Sequence, residues 1–226
     1  MSAPDLRAAG FILAGGQSRR MGQDKALLNF CGTPLIAHAI AILRAAGLTA
    51  SIAGAHAPLA HFAPVTEDQA DDRGSPRGPL SGICAALGSV AADRAAFLAV
   101  VFLAVDQPFV PPSLLIYLLH HARITGNAVT LATVAGVDQT FPVVLDRAAL
   151  PYLRAELESG QRGCLRAFAA AAAQLNQSVS RIPIELLAQS GQVAHPAGLG
   201  AAHWLTNLNT PATLRRSLAL VGRRIA

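Results

Sequence analysis

The sequence has few charged side chains, few aromatic residues and almost no lysine. Charged residues make up 14% and aromatic residues 5% of the 226 residues, although the formal net charge is +5. The basic residues are scattered and lack interleaved aromatic residues, which argues against nucleic-acid binding. A small anionic ligand fits this charge better, and we expect no nucleic-acid partner.

Long apolar runs are also missing. The longest uncharged apolar run is residues 95–105, which is shorter than the roughly 18 residues that span a membrane. The N-terminus does not combine a basic region, a long apolar core and a small-residue cleavage site. We therefore expect no membrane segment, no export signal and a cytoplasmic location.

Cysteine is scarce as well. Cys31, Cys84 and Cys164 are widely spaced and form no CxxC or other metal-binding pattern. Isolated cysteines in odd number are typical of reduced thiols. We expect free and mostly buried cysteines and no structural zinc site.

The pattern of apolar residues and breakers predicts an α/β fold in a single domain. We predict strands at residues 8–14, 49–53, 63–66, 96–105, 128–134 and 140–145. We predict helices at residues 34–46, 78–90, 112–124, 164–175 and from 211 onward, with Thr33 as the N-cap of the first helix. A further helix is predicted after Asp146, which caps it, and this helix extends to residue 158. The almost entirely apolar strand 96–105 indicates a mainly parallel sheet covered on both faces, a three-layer sandwich. Residues 184–203 contain several glycines and Pro196, and we interpret them as a lid or ordered loop.

A glycine loop follows the first predicted strand. Gly15 and Gly16 let backbone N–H groups converge on an anion, and the cations of Arg19, Arg20 and Lys25 follow them. Lys25 is the only lysine in the sequence, which suggests a site that arginine's wide fork cannot serve, although chance explains a single residue equally well. A surface hairpin with solvated arginines is the alternative. The combination favours a phosphate-binding loop.

Asp106 follows the strand 96–105 directly. Ligands of open α/β sheets collect at the carboxyl ends of the strands, so Asp106 is expected at the same edge as the glycine loop. A carboxylate there can bind Mg²⁺ that also bridges substrate phosphates. The alternative is that Asp106 only caps a turn before Pro108.

These motifs carry a resemblance to a known family. The loop Leu13-Ala14-Gly15-Gly16-Gln17-Ser18-Arg19-Arg20-Met21-Gly22-Gln23-Asp24-Lys25 resembles the signature loop of the molybdenum cofactor guanylyltransferases, the MobA-type members of the nucleotidyltransferase family with a Rossmann-like fold. Further segments resemble the family's Gly-Pro-Leu-x-Gly, Asp-x-Pro-Phe and Asn-x-Asn-Thr-Pro motifs at residues 78–82, 106–109 and 207–211. The third motif also reads simply as a helix start, with Thr210 as N-cap and Pro211 in the first turn.

The resemblance implies roles for individual residues. Leu13, Ala14, Gly15 and Gly16 would hold the nucleotide through backbone groups, and Asp24 would fix the loop. Ala53 stands where the family has a nucleotide-binding asparagine, a departure from the pattern. Of the other implied residues, Arg19 and Lys25 would contact the phosphates, Asp68 the nucleotide and Asp106 the metal. Asn207 and Asn209 would contact the pterin. Arg162 and Arg166 either contact an acceptor phosphate or are solvated.

The implied reaction is transfer of GMP from Mg-GTP to the terminal phosphate of molybdopterin or Mo-molybdopterin, with release of pyrophosphate. Residues 6–110 would form the nucleotide-binding half and residues 111–226 the acceptor-binding half. Molybdenum-insertion and molybdoenzyme maturation proteins are the implied protein partners. The alternatives are a sibling transferase that uses CTP or a sugar 1-phosphate, and a non-catalytic nucleotide-binding adaptor.

Overall fold

The structure is a computed structural model that describes residues 8–14, 24–54, 57–66, 78–90, 98–161 and 163–225. The strands in these ranges are β1 (Ala9–Leu13), β2 (Asn29–Phe30), β3 (Thr33–Pro34), β4 (Thr49–Ala53), β5 (Val65–Thr66), β6 (Ala99–Ala104), β7 (Val129–Val134), β8 (Val137–Asp146) and β9 (Ser180–Pro183). The helices are α1 (Leu35–Ala45), α2 (Pro79–Ser89), α3 (Pro112–Thr125), α4 (Leu150–Glu158), α5 (Cys164–Gln174), α6 (Ile184–Gln189), α7 (Ala201–Trp204) and α8 (Pro211–Ile225).

The described strands form a main sheet in the order β5-β4-β1-β6-β8-β7-β9. In this sheet β8 runs antiparallel to both of its neighbours, whereas the other described pairs are parallel. The strands β2 and β3 form a separate hairpin. The prediction of a mainly parallel sheet is therefore confirmed.

Helices cover both faces of this sheet. On β6, Val101 and Leu103 pack into a core with α1, α3 and the C-terminal helices, while Val100 and Phe102 pack into a second core with α2, α4 and α5. Alternate side chains of a strand point to opposite faces, so both faces of β6 are buried. The predicted three-layer sandwich is confirmed.

The register of the central strands fixes where the site lies. Leu13 is level with Ala53 on β4 and with Ala104 on β6. The chain segments that follow β1, β4 and β6 therefore leave the sheet at one edge. This is the carboxyl edge at which ligands of open α/β sheets bind.

Gly10 allows β1 to lie close to the first helix layer. A Cβ atom at this position would lie 2.7 Å from the carbonyl oxygen of Thr49 and 2.9 Å from Cδ2 of Leu43. A larger residue would have to displace the backbone of β4 or the packing of α1. The close approach therefore requires glycine here.

The predicted N-cap of the first helix is wrong. Thr33 belongs to β3, and its Oγ1 lies 2.7 Å from Nε2 of His38 instead of bonding the helix start. Pro34 is the N-cap and makes no side-chain cap bond. The cause is the turn at Cys31 and Gly32, with φ angles of +50° and +88°, which folds the chain into the β2–β3 hairpin before the helix begins.

The interpretation of residues 184–203 as a lid or ordered loop is wrong at the two ends of this segment, which belong to the helices α6 and α7, whereas residues 190–200 form a loop without helix or strand. The loop buries Val193 and Leu199 in the core, and Trp204 directly after the segment is buried there as well. The indole Nε1 of Trp204 donates to the carbonyl oxygen of Leu199 at 2.8 Å. The glycines and proline suggested a loop, but apolar residues between them anchor the segment to the first core.

Two smaller expectations meet mixed outcomes. The turn between β7 and β8 lies at Ala135 and Gly136, so β8 begins at Val137, three residues before the predicted start at residue 140. All three cysteines are free; Cys84 and Cys164 are buried and Cys31 is exposed. Among the described helices, none combines the length and the apolar character needed to cross a membrane.

Candidate active site

A short capped turn positions Lys25. The Oδ1 atom of Asp24 accepts a hydrogen bond from the backbone N–H of Ala26 at 2.9 Å, and a 3-10 turn follows over Lys25–Leu27. Ala26 is fully buried. This arrangement fixes the backbone around Lys25, whereas the role of Asp24 in fixing the preceding glycine loop stays a prediction.

The turn after β6 positions Asp106 at the same edge. The backbone N–H of Val105 donates to the carbonyl oxygen of Leu13 at 3.3 Å, and that of Gln107 donates to Ala104 at 3.3 Å. The first bond continues the pairing of β1 and β6 past the end of the strand. Asp106 therefore stands beside the point where β1 leads into the glycine loop.

Lys25 and Asp106 form an ion pair. The Nζ atom of Lys25 lies 2.9 Å from Oδ2 of Asp106, and the two side chains are 21% and 13% exposed. The same ammonium donates to Oδ1 of Asn209. Three residues that are far apart in the sequence thus meet at one nitrogen atom.

Asn209 belongs to a stretch that we call the C-terminal segment, residues 205–210. Its central residue, Leu208, is fully buried, and the Leu208 N–H donates to the carbonyl oxygen of Asp106 at 2.9 Å. Asn207 and Asn209, on either side, are exposed. This stretch has no strand pairing within the described residues.

The C-terminal segment also starts the last helix. The backbone N–H of Thr213 donates to Oγ1 of Thr210 at 3.1 Å, and the Thr210 N–H donates to Oγ1 of Thr213 at 3.0 Å. This reciprocal cap satisfies N–H groups that a helix start leaves unpaired. The helix-start interpretation of the motif is therefore confirmed, since Thr210 caps α8; the pterin contacts of Asn207 and Asn209 stay a prediction.

Two supports of the Asp106 turn were missed from the sequence. The side chain of Gln107 is buried, and its Nε2 donates to the carbonyl oxygen of Phe141 on β8 at 3.0 Å. Phe109 is buried against Phe30 of the hairpin, with ring centroids 5.5 Å apart. The Asp-x-Pro-Phe spacing carried a signal for Phe109, whereas nothing local marked Gln107 as buried.

The predicted nucleotide side is described in part. Leu13 and Ala14 are buried at the end of β1. A Cβ atom on Gly82 of α2 would lie 3.5 Å from Cδ2 of Leu13 and 3.7 Å from the backbone of Ala53, so the first turn of α2 packs against the ends of β1 and β4. Arg166 is exposed on α5. The predicted residues Gly15, Gly16, Arg19, Arg20, Asp68 and Arg162 lie outside the described residues.

The oxygen atoms around Lys25 suit a hard cation. The Asp106 carboxylate and the Asn209 amide oxygen both accept from one ammonium, and oxygen donors of these kinds are those that Mg²⁺ prefers. The described residues include no group of three or more His, Cys, Asp or Glu side chains that could hold a metal ion. The donor set therefore fits a cation that is held by one carboxylate and by oxygens of a bound phosphate.

Known proteins resemble this chain in sequence. The model of a family described as the MobA-like NTP transferase domain matches residues 10–178. A molybdenum cofactor guanylyltransferase of Rhodobacter capsulatus is 34% identical over 164 residues, covering 71% of this chain and 80% of that protein. A probable molybdenum cofactor guanylyltransferase of Opitutus terrae is 33% identical over 185 residues, covering 82% and 89%.

The fold is shared with a solved structure as well. The crystal structure of molybdopterin-guanine dinucleotide biosynthesis protein A from Archaeoglobus fulgidus matches with a TM-score of 0.71. The match covers 95% of this chain and 99% of that chain at 21% sequence identity. At this identity the likeness concerns the fold, which is of the Rossmann-like nucleotidyltransferase type.

Proposed function

Because the chain belongs to the MobA-like NTP transferase family, we propose that it transfers GMP from GTP to the terminal phosphate of molybdopterin. The enzyme is a nucleotidyltransferase; the choice of nucleotide and acceptor is the proposal. The observation that carries it is the Lys25–Asp106 ion pair at the carboxyl edge of the sheet. A cation and a carboxylate that face each other beside a glycine loop suit a metal-bound triphosphate.

The reaction needs little proton transfer. A phosphate oxygen of molybdopterin attacks the α-phosphorus of GTP, the new P–O bond forms, and the bond to the departing pyrophosphate breaks. Because the nucleophile is already an anion, catalysis depends mainly on positioning and on charge neutralisation. A compact ammonium such as that of Lys25 neutralises phosphate charge without taking part in covalent chemistry.

The remaining residues take roles around this pair. Asp106 would hold Mg²⁺, whose bound charge offsets the charge of the triphosphate. The backbone at Leu13 and Ala14, together with Gly15 and Gly16, would bind the nucleotide. The other proposed contacts are Arg19 with the phosphates, Asp68 with the nucleotide, and Asn207 and Asn209 with the pterin.

We further propose that the two halves of one domain divide this work. Residues 6–110 would bind the nucleotide and residues 111–226 the acceptor. The contact of Lys25 with Asn209 joins these halves at the place where the two substrates would meet. Molybdenum-insertion and molybdoenzyme maturation proteins are the proposed protein partners.

A pyrophosphate-release assay tests the function. The purified protein is supplied with Mg²⁺ and with GTP, CTP, ATP or UTP, each with and without molybdopterin. We expect release with GTP and molybdopterin together, and a product with the mass of the guanine dinucleotide. Equal or faster release with CTP would contradict the guanine assignment. Binding of GTP without release under any condition would indicate an adaptor instead of an enzyme.

A further inference from the structure

Lys25 holds together two parts of the chain that the proposed function assigns to different substrates. Its ammonium donates to the carboxylate of Asp106 and to the amide oxygen of Asn209. An ammonium has three donors and no acceptor, so each contact uses one of them. The contact with Asn209 ties the C-terminal segment to the nucleotide side of the site.

The two contacts differ in strength. Both bonds have the charged ammonium as donor, but the Asp106 carboxylate carries a full opposite charge 2.9 Å away, whereas an amide oxygen carries only a partial charge. The oxygen of Asn209 is a neutral acceptor on an exposed residue, and water can replace Lys25 as its partner at little cost. A triphosphate that competes for the ammonium would therefore displace Asn209 before it displaces Asp106.

Displacement of Asn209 does not require the whole segment to move. Leu208 is fully buried, and its N–H donates to the backbone oxygen of Asp106 at 2.9 Å. These contacts hold the backbone of the C-terminal segment independently of the Asn209 side chain. A rotation of that side chain is sufficient to free its amide.

We propose that the Lys25–Asn209 hydrogen bond is a latch that the phosphates of the nucleotide open. This inference rests on the proposed function, since it assumes that GTP binds beside Lys25. The free protein keeps the Asn209 amide engaged, and nucleotide binding releases it toward the acceptor. A contact that binding must break lowers nucleotide affinity and couples the two substrate sites, which favours binding of the nucleotide before the acceptor.

Calorimetric titration with Mg-GTP gives the first test. Asn209→Ala removes the latch, and we expect its affinity for GTP to rise by roughly 3- to 10-fold, the value of one modest hydrogen bond. Asn209→Asp strengthens the latch with a second charge, so its affinity should fall. The matched control is Gln174→Ala, an exposed amide at the end of α5 whose replacement should leave GTP affinity unchanged.

A single NMR signal gives the second test. Lys25 is the only lysine, so protein labelled with ¹⁵N at the lysine Nζ has one side-chain ammonium signal to follow. We expect Asn209→Ala to shift this signal in the free protein, and Gln174→Ala to leave it in place. With saturating Mg-GTP, the signals of the wild type and of Asn209→Ala should coincide, because the contact is then absent from both.

The outcomes separate the latch from the function on which it rests. If the wild type does not bind GTP, the proposed function fails and the latch fails with it. If the wild type binds GTP but Asn209→Ala binds it equally well or more weakly, the latch alone is wrong, and Asn209 serves the acceptor or contacts the nucleotide. A difference between the two ammonium signals that persists with GTP would overturn the latch as well.

Discussion

Lys25 and Asp106 are positioned in the site by local backbone turns, whereas Asn209 is positioned there by the packing of the last third of the chain. Lys25 sits in a turn that the neighbouring Asp24 caps, and Asp106 follows two residues after a central strand. Asn209 depends on buried residues such as Trp204 and Leu208, which hold the C-terminal segment against the core.

The difference separates two ways in which a sequence encodes a site. On the nucleotide side, local sequence motifs encode the site, because backbone turns directly after strands position the side chains. On the acceptor side, the pattern of buried residues encodes the site, because a segment without strand pairing is positioned by the packing of its apolar residues against the core. Substitutions that act on one side alone therefore test whether the two sides contribute separately.

The largest effect on the transfer rate is expected for Asp106→Asn, a substitution on the nucleotide side. The amide keeps the size of the carboxylate but loses the charge that faces Lys25 and that would hold Mg²⁺. Loss of an interaction made chiefly in the transition state costs on the order of 10² to 10³ in rate. We expect transfer to fall by that factor while the melting temperature changes little, as measured by pyrophosphate release and calorimetry.

Asp138→Asn is the matched control for this change. Asp138 also forms an ion pair, with Nε of Arg181 at 2.9 Å, but on a more exposed part of the sheet. Its loss should leave transfer near the normal rate. Similar losses in the two variants would show that Asp106 acts through general charge and not through the site.

The second largest effect is expected for Leu208→Ala, which removes buried packing on the acceptor side. Leu208 is fully buried, and truncation of a buried leucine costs about 2 to 5 kcal/mol. We expect a decrease within this range in the free energy of unfolding, because Leu208 belongs to the first core. Chemical denaturation measures it, and KM for molybdopterin should rise more than KM for GTP.

Leu218→Ala provides the comparison within the same region. Leu218 is 40% exposed on α8, so its truncation should cost distinctly less stability and leave both KM values unchanged. Equal losses in the two variants would mean that Leu208 does not anchor the segment.

The same contrast explains what the sequence predicted. The strand at residues 49–53, the helix that begins at Pro112 and the position of Asp106 followed from apolar periodicity and breakers. The hairpin at β2 and β3 and the short strand β9 did not, because strands this short carry too little pattern. The contact of Asn209 with Lys25 was beyond sequence reasoning, since the two residues are 184 positions apart.

A third effect, smaller than the first two, is expected for Gln107→Leu. The Gln107 side chain is buried and donates to the carbonyl oxygen of Phe141, which links the Asp106 turn to β8. Leucine removes the donor to this partly buried carbonyl oxygen, and loss of one such hydrogen bond costs about 0.5 to 1.5 kcal/mol. Denaturation should show a loss within this range, and Mg²⁺ should be needed at higher concentration for half-maximal transfer.

Gln174→Leu is the control for Gln107→Leu, because Gln174 is exposed at the end of α5. Its replacement should change neither the unfolding free energy nor the Mg²⁺ requirement appreciably. A Gln107→Leu variant that loses stability but keeps the normal Mg²⁺ requirement would show that Gln107 supports the fold without positioning Asp106.

The smallest effect concerns Asp146, which lies at the sheet edge opposite the site and offers a pH-dependent comparison. Burial raises the pKa of this carboxyl above 3.8, against hydrogen bonds with the backbone of Ala148 and Leu98 that lower it. With a folded-state pKa above the unfolded value, the protonated form stabilises the fold, and this contribution is lost as pH rises through the folded-state pKa. Asp146→Asn cannot ionise, so its unfolding free energy relative to the wild type should increase from acidic to neutral pH. Asp146→Ala also removes the hydrogen bond that caps Ala148, so its unfolding free energy should be about 1 kcal/mol lower than that of Asp146→Asn at every pH. If the difference in unfolding free energy between Asp146→Asn and the wild type does not change across this pH range, the raised pKa of Asp146 is refuted.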